Sequence, residues 1–180
     1  MSDYNLVKEC LQGNRESFRE LMYKYQNYAM AVALNILMNF DDAQDVCQEA
    51  FLKAFRSLSK FDTNKSFKNW FYALLCNRCL DHLRKRNRFF NMIRRFQTDI
   101  RTDGTDQPEN HASFLQVEFE LLQCLSPKER ISIYLWSQEG YSGSEIASVL
   151  GCSDKTAYVH LYKARKKLKV LLKEKKNGKV

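Results

Sequence analysis

Proline and glycine are scarce in this sequence, with two prolines and six glycines among 180 residues. They lie between segments in which apolar residues recur at three- and four-residue spacing, and strand-like runs that alternate apolar and polar residues are absent. Few helix breakers and a helical spacing together favour helices along the chain. The sequence therefore predicts an all-α fold.

Long apolar runs are missing as well. No stretch of about 18 apolar residues occurs, and the N-terminus opens on the polar sequence Met1 to Tyr4 rather than on a basic and then apolar leader. We therefore expect a cytoplasmic protein without stable membrane insertion.

The sequence also lacks the usual marks of a catalytic site. It contains no Gly-rich phosphate loop and no paired acidic metal motif, and none of its three histidines, His82, His111 and His160, stands beside a convincing nucleophile. We predict a protein that is not an enzyme, with no catalytic residue, metal or cofactor.

Positive charge is in excess. Lysine and arginine number 29 against 21 for aspartate and glutamate, which gives a formal net charge of +8. An excess of this kind favours a polyanionic partner, nucleic acid first and an anionic membrane surface second.

Six cysteines are scattered through the helical patterns, which is typical of reduced, packed thiols in a reducing cytosol. Cys76 and Cys79, with His82 three residues further on, also raise the hypothesis of a zinc or redox site. A structural zinc site needs a fourth ligand and normally a turn between its paired cysteines. Buried thiols are therefore the favoured interpretation, and a metal or redox role stays open.

Four helices are predicted in the first half of the chain. The first spans about Asp3 to Gly13 and the second ends near Asn39, while Asp41 and Ser66 are the predicted N-caps of the third and fourth. The predicted buried stripes are Phe18, Leu21, Met22, Tyr25, Ala29, Val32 and Ile36 in the second helix, Ala43, Val46, Cys47, Ala50, Ala54 and Leu58 in the third, and Phe67, Trp70, Phe71, Leu74, Leu75 and Leu83 in the fourth.

A polar, turn-prone segment follows, because helical periodicity fades over residues 91–112. We predict a flexible linker there, between one small helical domain over residues 1–90 and another over residues 113–180. In the second domain, Phe114, Val117, Leu121 and Leu122 would line one helix. Ser126-Pro127-Lys128-Glu129 would begin the next, with an N-cap, a first-turn proline and a capping-box glutamate.

The end of the chain predicts a helix-turn-helix. Ser142 and Glu145 form the pattern of a second capping box, and Gly151 permits the left-handed turn after which Ser153 caps the final helix. The second helix of this motif enters the major groove of DNA. Ala157, Leu161, Ala164 and Leu168 would face the core, and Lys163, Arg165, Lys166, Lys167 and Lys169 would approach phosphates.

The first turns of that final helix carry the candidate residues for base recognition. The predicted DNA-binding residues of this helix are Lys155, Thr156, Tyr158, Val159, Tyr162, Lys163 and Lys166. A solvated basic helix is the alternative, but it does not account for the agreement of the caps, the glycine and the small-residue positions.

The two halves together resemble the extracytoplasmic-function (ECF) group of bacterial RNA polymerase sigma factors. Residues 41–55 look like the family's helix that binds core polymerase. Residues 67–72, together with Asn77, Arg78 and residues 81–86, resemble its segment for the promoter −10 element. Leu125 to Leu172 resemble the domain that reads the −35 element.

The resemblance implies an alternative sigma factor, a dissociable subunit of RNA polymerase that recognises the −35 and −10 elements and promotes DNA opening. Core RNA polymerase and promoter DNA are the implied partners, and an anti-sigma factor is a further partner that the resemblance allows. The implied polymerase-binding residues are Asp45, Gln48, Glu49, Leu52, Lys53 and Phe55. A solvated helix face is the alternative for the acidic residues, but Leu52 and Phe55 among them favour an interaction surface.

Opening of the −10 element needs an aromatic and basic surface that holds an unstacked base and neutralises the backbone. We expect that surface at Phe61, Asn64, Trp70, Asn77, Arg78, Arg84 and Lys85. Aromatic residues at helical spacing often belong to the core instead, and Phe71 is placed there.

At one point the chain departs from the family. Tyr158-Val159-His160 stands where the family usually shows a Lys-Ser-Arg run, so those contacts and the −35 sequence are not carried over. The main competing interpretation is a helix-turn-helix regulator that binds an operator as a dimer. The match in the first half and the absence of an evident dimerisation heptad argue against it.

Overall fold

The computed structural model describes residues 1–96 and 121–176. Its helices are α1 (Asp3–Leu11), α2 (Arg15–Leu37), α3 (Phe40–Ser57), α4 (Phe67–Phe96), α5 (Pro127–Ser137), α6 (Gly143–Leu150) and α7 (Asp154–Lys176), with a 3₁₀ turn at Leu58–Lys60. Over these residues the chain contains no strand, and the predicted all-α class with two helical domains is confirmed. Within the same two stretches no helix is long and apolar enough to cross a membrane.

The start of α3 differs from the prediction. Asn39, not Asp41, caps the helix by accepting a hydrogen bond from the Asp42 N–H at 2.8 Å. Met38 ends α2 in the left-handed conformation, with φ 57°, so the chain turns at this residue and the next helix begins at once. Asp41 therefore lies in the first turn of α3, where its charge favours the positive end of the helix.

The predicted stripes of α2 and α3 form the core of the first domain, with one exception. Met22 is 38% exposed, whereas the other predicted residues of these two stripes are buried. Two large side chains that the stripes omit, Phe51 and Tyr72, are buried as well. Phe51 stacks on Phe71 with ring centroids 4.6 Å apart, so aromatic packing joins α3 to α4.

Helix α4 begins at its predicted cap, where Ser66 accepts a hydrogen bond from the Asn69 N–H at 3.3 Å. It continues through Phe96, so residues 91–96 are helical although the prediction placed them in the linker. The rest of the predicted linker, together with Phe114 and Val117 of the helix predicted after it, lies outside the described residues.

Two capping boxes and a glycine build the helix-turn-helix. The predicted boxes are both present, Ser126 with Glu129 at the start of α5 and Ser142 with Glu145 at the start of α6. Gly151 ends α6 at φ 60°, in the left-handed region where a residue with a Cβ would be strained. The predicted Ser153 cap then accepts a hydrogen bond from the Thr156 N–H at 3.3 Å and begins α7.

Glu129 joins α5 to α7 and is 4% exposed. Its carboxylate accepts hydrogen bonds from the Ser126 N–H at 2.9 Å and from the Lys167 ammonium at 2.7 Å. Burial alone would raise the pKa of this carboxyl, but the hydrogen bonds and the Lys167 charge outweigh burial and lower the pKa. The Glu129 carboxylate is therefore charged at pH 7 and holds the two helices together.

The two domains share one continuous cluster of buried side chains. Helix α2 packs against α5, and α4 packs against α6. The Arg130 guanidinium bridges the domains, because it donates to the Ile36 carbonyl of α2 at 2.7 Å and to the Leu125 carbonyl of its own domain at 3.1 Å. We call this packing the closed arrangement.

Replacing Glu129 with glutamine should destabilise the second domain, because the charge that pairs with Lys167 is lost. We expect a decrease of about 1–2 kcal/mol in the free energy of unfolding at pH 7. The pKa of Glu129 is lower in the folded than in the unfolded chain, so the contribution is complete above about pH 4.3, the ordinary pKa of glutamate. It is lost as the pH falls through the folded pKa. Urea unfolding of both proteins at several pH values measures the difference.

Glu145→Gln is the matched control, since Glu145 holds the same capping-box position in α6 with an exposed side chain. This variant should lose less than about 1 kcal/mol. Equal losses in the two variants would contradict the role of the Lys167 pair.

Candidate nucleic-acid interface

The outer face of α7 carries the side chains predicted to bind DNA. The exposed residues on it are Lys155, Thr156, Tyr158, Val159, Tyr162, Lys163 and Lys166. Ala157, Leu161 and Ala164 are buried on the opposite face, and the predicted core residue Leu168 is half-buried. Because the buried face fixes α7 on α5 and α6, its first turns project outward as the reading helix of a helix-turn-helix does.

Tyr158 also contacts the neighbouring helix across the turn. Its ring lies over Gly143 at the start of α6, where a Cβ on the glycine would come within 2.4 Å of the ring carbon Cζ. The Tyr158 side chain remains 58% exposed, so it offers its free side to a partner. Gly143 thus makes room for the tyrosine, a pairing that sequence spacing does not indicate.

His160, within the run that departs from the family, is half-buried. Its Nε2 is buried and has no hydrogen-bond partner among the described residues. Burial, reinforced by the nearby Lys128, lowers the pKa of the imidazole below its ordinary value, so the side chain is neutral at pH 7. This histidine belongs to the packing of α7 rather than to its reading face.

Two basic residues of α7 that are predicted to approach phosphates also make contacts within the second domain. Arg165 stacks on the Trp136 ring of α5, 4.9 Å from the ring centroid. Lys167 donates to the Glu129 carboxylate and, at 3.2 Å, to the Cys124 carbonyl. Lys163, Lys166 and Lys169 are exposed on the same helix and add to its basic surface.

The loop before α4 places its predicted aromatic residue in the core. Phe61 is 8% exposed, and its ring lies 4.9 Å from that of Trp70 and 5.9 Å from that of Phe67. Phe61 is therefore not the exposed base platform that the sequence predicts, because it packs against Trp70, which is itself half-buried. Asn64 is exposed, and its backbone N–H and side-chain amide both donate to Asp62 at 3.1 Å.

Asn77, Arg78, Arg84 and Lys85 lie on one side of α4, away from its buried stripe. Arg78 is half-buried and the other three are exposed. Arg84 pairs with Asp81 at 2.7 Å, an exposed ion pair that a polyanion can displace because such pairs contribute little free energy. We call this side, with its amide and three basic groups, the outer face of α4.

A small cavity lies between the loop and α1. It has a volume of about 210 Å³, and its polar lining comes from Asp3 of α1 and from Thr63, Lys65 and Ser66 of the loop. Sequence reasoning missed the contribution of α1, because the cavity joins segments that are far apart in the chain. Polar groups of both segments therefore line the cavity.

Helix α3 presents a mixed acidic and apolar surface. Its exposed residues are Asp45, Gln48, Glu49, Leu52, Lys53 and Phe55, which we call the α3 surface. Leu52 is 55% and Phe55 44% exposed, and the Phe55 ring contacts Phe18 with centroids 5.0 Å apart. Large apolar side chains exposed among charges are typical of a protein-binding surface.

Cys76 and Cys79, the alternative metal or redox site, are buried thiols. Burial raises the pKa of the Cys76 thiol to about 12, so this group is protonated and unreactive at pH 7. The His82 Nε2 lies 3.1 Å from the Asp42 carboxylate of α3. Among the described residues, no group of three or more His, Cys, Asp and Glu side chains is placed to hold a metal ion. The geometry therefore favours packing as the role of these cysteines.

Two family models match the chain. The model of Sigma-70 region 2 matches residues 21–89, and the model of Sigma-70, region 4 matches residues 119–168. The first match contains the α3 surface and the outer face of α4, and the second contains the helix-turn-helix.

Known proteins are similar over nearly the whole chain. The sequence is 29% identical to the RNA polymerase sigma-H factor of Pseudomonas aeruginosa, with 96% of each chain covered. It is 27% identical to the ECF RNA polymerase sigma-E factor of Haemophilus influenzae, with 92% of each chain covered.

Two solved structures share the arrangement of both domains. One is CnrH in complex with the cytosolic domain of CnrY, at a TM-score of 0.71 and 25% identity, covering 95% of this chain and 97% of CnrH. The other is the sigma factor RpoE in complex with the anti-sigma factor NepR from Bartonella quintana, at a TM-score of 0.71 and 25% identity, covering 88% of this chain and 98% of RpoE.

The family matches occur in the order that the resemblance predicts, and they fall on the surfaces described above. The similar proteins extend the same relationship across both domains. The chain belongs to the ECF group of bacterial RNA polymerase sigma factors.

Proposed function

We propose that this sigma factor divides promoter recognition among three surfaces. The α3 surface binds core RNA polymerase, the loop and the outer face of α4 recognise and open the −10 element, and the first turns of α7 read the −35 element. Residues 1–90 would thus carry the first two roles and residues 113–180 the third. The observation that carries this proposal is that three separate helices each expose most of their candidate side chains while the opposite face is buried.

On α7, base recognition and backbone binding fall to different residues. Lys155, Tyr158 and Tyr162 project from the part of the helix that enters the groove, where side chains meet base edges. Thr156 and Val159 lie among them. Lys163 and Lys166 follow on the next turns and bind phosphates, which adds affinity without sequence information.

At the −10 element, an unpaired base must be held outside the duplex while the backbone charge is neutralised. Asn64, which is exposed on the loop before α4, receives the base, and Trp70 offers the exposed part of its ring. Asn77, Arg78, Arg84 and Lys85 bind the strand along α4. Phe61 positions Trp70 by packing against it rather than by touching DNA.

Transcription initiation factors of this family are not enzymes, so we assign this chain no catalytic residue and no cofactor. We place it in the cytoplasm, where RNA polymerase works. RpoE was solved with an anti-sigma factor, and its similarity across both domains supports an anti-sigma partner for this chain as well. The family matches give no support to the alternative interpretation, a regulator that binds an operator as a dimer.

Charge reversal on the α3 surface should weaken the association with core RNA polymerase. Asp45 and Glu49 are exposed and lie opposite the buried stripe of α3, so Asp45→Lys with Glu49→Lys should leave stability within about 1 kcal/mol. A fluorescence titration with core polymerase should show at least a tenfold weaker Kd, equivalent to about 1.4 kcal/mol.

The matched control is Glu16→Lys with Glu20→Lys on α2, which makes the same change of charge at the same four-residue spacing on an exposed face. It should leave the Kd nearly unchanged. Equal effects of the two pairs would mean that net charge, and not the α3 surface, governs the association.

Reading and opening should separate on a promoter template that is already melted across the −10 region. Asn77→Ala and Arg78→Ala should lower transcription from duplex promoters and recover on the melted template, because that template no longer needs the free energy that their strand contacts supply to opening. Lys155→Ala, Tyr158→Ala and Tyr162→Ala should stay impaired on both, with about 1–3 kcal/mol lost for each good base contact. Run-off transcription with purified holoenzyme measures both sets. Rescue of both sets, or of neither, would contradict the division between α4 and α7.

A further inference from the structure

The turn between α5 and α6 reaches from the second domain onto the first turn of α4. The Glu139 carboxylate lies 2.7 Å from the Lys68 Nζ and accepts a hydrogen bond from the Tyr72 hydroxyl at 3.2 Å. The Tyr141 hydroxyl donates to the Asn69 side-chain oxygen at 2.5 Å. A carboxylate and a hydroxyl of one domain thus bind an ammonium and an amide of the other.

The two sides of this contact differ in exposure. The Glu139 side chain is 6% exposed and Tyr141 is 5% exposed, so both are enclosed by the closed arrangement. The Lys68 side chain keeps 35% exposure, and its Nζ lies 5.7 Å and 5.6 Å from the ring centroids of Tyr72 and Tyr141. The ammonium of Lys68 can therefore exchange one anion for another from solvent.

The chemistry of Lys68 and Asn69 suits promoter DNA. Both follow the loop that carries Asn64 and directly precede Trp70. A lysine ammonium binds phosphate as a point charge, and an asparagine amide hydrogen-bonds base edges. A glutamate carboxylate offers an ammonium the same kind of anionic oxygen as a phosphate.

We propose that Lys68 and Asn69 are further promoter-DNA contacts of the −10 surface, the part of the first domain that binds the −10 element. In the closed arrangement, Glu139 binds Lys68 where a DNA phosphate would bind, and Tyr141 binds Asn69 where a base would bind. This inference rests on the proposed role of α4. The second domain then carries an intramolecular substitute for DNA, and the −10 surface is complete only when the domains separate.

When the two domains separate, neither Lys68 nor Glu139 is left buried without a partner. Lys68 exchanges the Glu139 carboxylate for a phosphate, and Glu139 passes from an enclosed site into water. A buried ion pair loses in desolvation much of what it gains in attraction, so the exchange is nearly balanced. DNA therefore competes with Glu139 for Lys68 instead of binding beside it.

The test uses the full chain and a fluorescein-labelled single-stranded oligonucleotide of mixed sequence, with anisotropy measured at several salt concentrations. Glu139→Gln with Tyr141→Phe should bind more tightly than the wild type. The slope of log K against log salt should steepen by about 0.7, the value for one additional phosphate contact on a single strand. Adding Lys68→Ala should remove both the gain and the steeper slope. Should the double variant fail to fold, Glu139→Gln alone carries the same expectation.

Glu174→Gln, which removes one exposed carboxylate near the end of α7, is the control for net charge and should leave binding at the wild-type level. The inference is overturned if the double variant binds like the wild type, or if its gain survives Lys68→Ala. Arg78→Ala in the double variant separates the two claims. If Arg78→Ala weakens binding and Lys68→Ala does not, α4 keeps its −10 role and Lys68 is not a DNA contact. If neither weakens binding, the −10 role of α4 fails as well.

Discussion

The packing of the two domains against each other constrains everything else in this molecule. Buried side chains form one continuous cluster from the first domain into the second. The Arg130 guanidinium of the second domain also donates a hydrogen bond to the Ile36 carbonyl of the first. Burial lowers the pKa of Arg130 from its ordinary high value, and a guanidinium remains charged at pH 7. A factor that binds two separate promoter elements must present both DNA-binding surfaces at once, and the packing between the domains fixes where these surfaces lie in the closed arrangement.

The polar contacts between the two domains suit an interface that can open and close. Buried apolar contacts hold the two domains together but do not depend on direction. The Lys68–Glu139 ion pair and the Tyr141–Asn69 hydrogen bond fix the position of one domain on the other. Polar groups of this kind exchange protein partners for water with little net change in free energy. Both solved structures with the same arrangement contain a second protein.

Local chemistry made much of the fold predictable from the sequence. Ser66, Ser126, Ser142 and Gly151 act within one helical turn, so their roles follow from spacing alone. The cap of α3 did not follow, because it depends on the left-handed conformation of Met38, which a non-glycine residue seldom adopts.

The spacing of residues in the sequence does not predict the interface between the domains or the surroundings of several side chains. Phe61 is buried by rings of α4, and Arg165 and Lys167 contact Trp136 and Glu129 of another helix. Such contacts join positions far apart in the chain, so no local pattern encodes them. The candidate residues on α3 and α7 were predictable because exposure follows from helical periodicity, while their contacts with polymerase and DNA stay predictions.

The most direct test of the closed arrangement is the distance between the domains, measured by double electron–electron resonance with spin-labelled unnatural amino acids at Glu20 and Ser148. We expect the single distance of the closed arrangement in the free chain and a longer one once core polymerase is added. A free chain that already shows the longer distance, or a distance that polymerase leaves unchanged, would contradict it.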